Sequence, residues 1–186
     1  MLKTLTKHFL RKISKAAGIL LLLALVSSQW NLQTAMAAAI PLLDLKLTGP
    51  QTTPAGQPLV GINVSLINSG PASQDARLRL FIILDRANRG MQAGDVKVDV
   101  QEGALWVPLP LELIDDAVMG AIGVMGKGHK ALHQRGGFAI PANLNKLWPL
   151  RITFRLPGMY SLEAAVSPDN GDTHLAQPAS ITIEAL

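Results

Sequence analysis

Met119, Met125, His129 and His133 bring two thioethers and two imidazoles into one short stretch of a chain that has no cysteine. Soft copper ions favour that ligand set. The spacing of His129 and His133 would place both on one face if the segment made a helical turn. The competing reading has flexible methionines filling apolar gaps and the histidines lying on a solvated loop. On this basis no metal ligand, catalytic residue or cofactor is assigned, and copper binding through Met119, Met125, His129 and His133 stands as an alternative function.

Other groupings point away from catalysis. Asp115 and Asp116 would aim at opposite faces of a strand, so they read as a turn rather than as paired carboxylates for acid/base work. Asp169, Asn170 and Asp172 lack the D-x-[DN]-x-[DN]-G spacing of a calcium loop, and Asn170-Gly171 reads as a tight hairpin turn. There is no G-x-S-x-G elbow, and beyond His8 the histidines are His129, His133 and His174. The expectation is that the protein is not an enzyme. Trp106, Trp148 and Tyr160 could line an aromatic platform for a sugar or a peptide, the former making an accessory carbohydrate-binding domain; core duty is the stronger expectation for them.

The elements that must position these residues begin after a targeting segment. Lys3, Lys7, Arg11, Lys12 and Lys15 form a basic head with no acidic residue, and the apolar run Ala16 to Val26 follows it. At 11 residues that run suits a signal-peptide core and falls short of the roughly 20 needed to span a bilayer. Ala35 and Ala37 flank Met36 in an A-x-A cleavage pattern, so residues 1–37 read as a signal peptide and the mature chain as starting at Ala38. The expected location is extracytoplasmic: periplasm, cell surface or medium. Cleavage also reverses the charge. The whole chain carries 17 basic against 13 acidic residues, but five of the basic ones lie before residue 38 and none of the acidic ones do, leaving a net −1. With no Lys/Arg cluster in what remains, nucleic acid is not an expected partner.

Residues 38–186 read as one domain of short strands. Leu43, Leu45 and Leu47 alternate with polar residues, as do Val60, Ile62, Val64 and Leu66, and then Leu78, Leu80, Ile82 and Leu84. Phe81 and Ile83 on the other side of that third strand predict that its second half is covered on both faces. Val96, Val98 and Val100 form a fourth strand. Trp106 to Leu113, broken by Pro108 and Pro110, reads as an edge strand or partly unpaired crossing open to strand addition. The glycine-rich stretch 115–137 opposes a helix, allows a short strand at Val118 to Val124, and otherwise reads as a loop available to a partner. Leu150 to Leu156, Tyr160 to Val166, and Ile181 with Ile183 close the pattern. Seven to nine strands without an amphipathic helix predict an all-β fold of two packed antiparallel sheets.

The segment Leu150 to Val166 resembles the last strand pair of bacterial exported immunoglobulin-like (fibronectin/Ig-type) domains, in which an apolar-x-apolar-x-P-G-x-Y-x-apolar run forms the hairpin. Val60 to Gly70 is similar to their second strand, and Val96 to Leu111 to their middle strands. The resemblance implies an Ig-like antiparallel β-sandwich and a tyrosine corner at Tyr160, whose hydroxyl would bond back to nearby backbone. It also implies a non-enzymatic module that acts through contact with a protein partner outside the cytoplasm.

Overall fold

Period-2 alternation is realised along much of the long strands. The computed structural model describes residues 42–85, 90–124, 128–131, 134, 136–168 and 173–186, all within the unit Pro41–Leu186. The segment 1–37, Met125, His133 and the turn 169–172 lie outside the described residues. The strands are β1 (Leu43–Thr48), β2 (Thr52–Thr53), β3 (Pro58–Asn68), β4 (Ser73–Asp85), β5 (Val96–Glu102), β6 (Leu105–Pro108), β7 (Glu112–Ile114), β8 (Ala117–Ile122), β9 (Phe138–Ile140), β10 (Asn145–Phe154), β11 (Gly158–Pro168) and β12 (Ala179–Ala185). One sheet has the order β1-β3-β10-β5-β6; the other runs β2-β12-β11-β4-β8-β7, with β9 also beside β4. Among the described residues only the short β2 pairs in parallel, with β12. The total exceeds the seven to nine strands expected, because β2, β7 and β9 are too short to show a period.

Leu45, Leu47, Ile62, Val64, Leu66, Val96, Val98, Val100, Leu150 and Ile152 of one sheet meet Leu78, Leu80, Ile82, Tyr160, Leu162 and Ile183 of the other in a continuous apolar interior. A bulge between Leu150 and Ile152 lets both Leu59 and Ile62 face inward; Gly61, at φ 90°, supplies the backbone turn that this requires. Tyr160 is fully buried, stacks at 4.3 Å on Phe154, and donates its hydroxyl to the Leu156 carbonyl at 2.8 Å. The tyrosine corner is thus present, and the architecture is an Ig-like antiparallel β-sandwich.

Three expectations are corrected. On β4, Ile83 is exposed and Phe81 half-buried on the outer face, whereas Arg77 at the strand's other end is buried, so the doubly covered half is the first and not the second. There Arg77 donates Nη2 to the Gln134 carbonyl. The run Trp106 to Leu113 is both things proposed for it. It forms the edge strand β6, then crosses at Pro110 to the other sheet and becomes β7. Strand addition at β6 is opposed, however. Leu109 donates its N–H inward to Val98, so the flanking residues 108 and 110 point their nitrogens to the free side, and both are prolines with no hydrogen to offer.

The third correction concerns the glycines of 115–137. The short strand allowed at Val118 to Val124 is present as β8, and it is Gly120, Gly123 and Gly137 that prove to be close-packed rather than part of an open loop. A side chain on Gly120 would strike the Pro110 carbonyl at 2.7 Å, one on Gly123 the Gly128 carbonyl at 2.1 Å, and one on Gly137 the backbone of Asp75 at 2.3 Å. These glycines permit close approach of backbones. β8 and Val124 are largely buried, and Ala121 exchanges two hydrogen bonds with Lys130.

Candidate functional site

β5 and β10 each end with a charged residue on the inward face, Glu102 beyond Val100 and Lys146 before Trp148. Beside them the segment after β8 tucks in His129, whose side chain is fully buried. Its Nδ1 accepts the Gly123 N–H at 3.0 Å. The neutral ring therefore carries its proton on Nε2, which lies 3.5 Å from Glu102 Oε1 without a formed hydrogen bond. Burial lowers the His129 pKa from its ordinary 6.5; Glu102 opposes the shift and Lys146 adds to it. A second proton would have to enter at Nδ1, which faces the Gly123 amide.

A pH dependence follows. The unfolded chain binds a proton at His129 below about pH 6.5 while the folded chain resists it, so stability present above that value falls as the pH drops toward and through the lowered folded value. Urea midpoints between pH 8 and about 5.5 should decline in the native protein and decline less in His129→Gln. Equal slopes would assign the dependence to other groups.

The arrangement does not favour copper at the described residues. Met119 projects from the outer face of β8, opposite Phe81, while His129 is turned in beside Glu102 of the other sheet with Nδ1 already engaged. No group of three His, Asp or Glu residues among the described residues could hold a metal ion. His174 is exposed in the segment before β12. Asp115 and Asp116 form the two-residue turn between Ile114 and Ala117, with Asp115 at φ 52°, as the turn reading required.

Nor do the three aromatics share a platform. Trp148 and Tyr160 are buried, whereas Trp106 is half-buried on the outer face at the β6 edge, contrary to the core role expected of it. Its indole lies 4.9 Å from the Arg151 guanidinium. Arg151 is in turn held by Asp99, 3.0 Å from Nε and 2.9 Å from Nη2, with Lys97 at 3.4 Å from the same carboxylate. The sequence hid this because Trp106 alternates with Leu105 and Val107, either of which could have been the outward residue.

The outer face of the five-stranded sheet is mixed: Asp44, Lys46, Asn63, Ser65, Lys97, Asp99 and Arg151 surround Ile67 and Leu147, which are 36% and 55% exposed. The seven-stranded sheet carries Phe81, Ile83, Met119, Ile114 and Met159 outward on four strands, and the register places Ile114 opposite Ala117, Ala117 opposite Ile83, and Met119 opposite Phe81. Ile83 is 43%, Ile114 39% and Met159 41% exposed. Sequence reasoning missed this face because it assigned Phe81 and Ile83 to a covered surface.

No family model matches the chain, and no curated protein matches it. Among solved structures, AvmM, described as catalysing macrocyclization in alchivemycin A biosynthesis, is similar at 14% identity and a TM-score of 0.53, over 78% of this chain and 88% of that one. That likeness shows the fold alone. A CARDB domain from Pyrococcus furiosus aligns at 12% identity and a TM-score of 0.41, covering 79% of this chain and 96% of its own. A non-cellulosomal cohesin from Archaeoglobus fulgidus aligns at 10% identity and a TM-score of 0.33, covering 77% and 91%.

Proposed function

We propose that this chain is an exported, non-enzymatic Ig-like module that works through protein contacts, and that the outer face of the seven-stranded sheet makes them. The observation carrying the proposal is the row of outward apolar residues Ile83, Ile114, Phe81, Met119 and Met159. A wetted antiparallel face alternates in polar residues, and a contiguous apolar patch on a folded surface marks a contact site. The basic head, short apolar run and A-x-A pattern support export. The burial of the His129 side chain supports a non-catalytic reading, since a ring with no open surface cannot reach a substrate.

Capture from an extracytoplasmic extract tests this. The native protein should recover a specific partner, and Ile83→Lys with Ile114→Lys should reduce recovery by roughly tenfold or more at unchanged urea midpoint. Recovery that the double variant leaves intact moves the contact to another face. Recovery of nothing, together with turnover of a substrate, overturns the proposal. Intact mass of the exported protein should correspond to a chain beginning at Ala38.

A further inference from the structure

The two edges of the five-stranded sheet are treated differently. At β6 the prolines remove two of the outward donors, those of residues 108 and 110, and leave that of Trp106. At the opposite edge, β1 has six residues and no proline. The Leu42 carbonyl accepts from Ser69 N, so the even-numbered residues of β1 turn their backbone groups toward β3. Leu43, Leu45 and Leu47 therefore turn theirs to the free side, where they meet no partner strand among the described residues. An open groove of about 400 Å³ runs along the start of this edge, lined by Leu42, Leu43, Asp44, Ser69, Leu175 and Ala176. Backbone groups at alternate positions specify an extended chain as the occupant.

We infer that the occupant is a second copy of this chain, paired through β1 about a two-fold axis at Leu45. In that register Leu45 faces Leu45 of the second copy, while Leu43 and Leu47 face each other in both directions, so every free-side residue exchanges hydrogen bonds. The intervening pairs place Asp44 of each copy across from Lys46 of the other. They fall at non-hydrogen-bonded positions, where cross-strand side chains come closest. Both side chains are available, with exposures of 54% for Asp44 and 63% for Lys46, and they already lie 3.1 Å apart within one chain. The strand is thus self-complementary in charge as well as in backbone, which is what an isologous contact demands. A shift by two residues in either direction would lose one hydrogen-bonded pair and both charge matches, and would set Asp44 against Asp44 or Lys46 against Lys46. The result is a continuous ten-stranded sheet, two copies of the five-stranded one. It uses a surface separate from the apolar face and does not depend on it.

The full chain, sedimented over a range of concentrations, should show a monomer–dimer equilibrium. Asp44→Lys sets Lys against Lys, and Lys46→Asp sets Asp against Asp; each should weaken dimerisation by roughly tenfold or more. The two changes in one chain should restore it. A mixture of the two single variants should form a heterodimer, because each then supplies the charge the other lacks. A native chain that stays monomeric, single variants that dimerise unchanged, or a mixture that fails to associate would each overturn the inference.

Discussion

Trp148→Ala is expected to cost about 3–5 kcal/mol and to lower the melting temperature by roughly 10 °C or more. The indole is 2% exposed and sits between Leu150 and the inward-turned Lys146, whose ammonium lies 5.1 Å from the ring. Nothing can collapse into the space from β3 without breaking its pairing with β10, so the vacancy would persist. Truncating Trp106 provides the control. Its ring lies on the outer face, and Trp106→Ala should cost no more than about 1 kcal/mol. Urea unfolding measures both; equal losses would mean that the two tryptophans have been assigned to the wrong surfaces.

Asn68 carries the second large effect, and for a different reason. It is fully buried at the end of β3, donates Nδ2 to the Pro71 carbonyl at 2.8 Å and to the Pro141 carbonyl at 2.9 Å, and accepts the Gly70 N–H at 3.0 Å. One amide thereby shapes the turn into β4 and ties it to the connection between β9 and β10. Asn68→Ala leaves three backbone groups without their partner and should cost about 2–4 kcal/mol. Asn68→Asp should be worse at neutral pH, since carboxylate oxygens would replace the amide donor in front of two carbonyl oxygens. A milder loss in the aspartate variant would show that the two carbonyls find other donors.

The sandwich was legible wherever one face of a strand is buried and the other wet, as along Leu43 to Leu47 and Val60 to Leu66, since alternation records that difference directly. Tyr160 was legible too, through the proline-glycine turn before it. What escaped depended on long-range contact. The glycines at 120, 123 and 137 showed only as opposed to a helix, because composition does not reveal which backbone they press against. The outward Phe81 and Ile83 looked buried because apolar character does not say which side is covered. His129 showed only as a ligand-type residue, and its bond to Gly123 depends on how the segment between them folds back.

The crossing at Pro110 divides residues 96–122 into two local hairpins, β5 with β6 and β7 with β8, one at the rim of each layer. The central ladders, β3 with β10 and β4 with β11, instead join distant parts of the chain. Closing those large loops is the slow event, for entropy is lost there before contacts are gained. The rims can zip early without committing the molecule, while newly made chain waits for its second half before the middle strands can pair. The protein should therefore refold on a millisecond-to-second timescale, and lesions in β3 or β10 should slow that refolding more than lesions in β6 or β7.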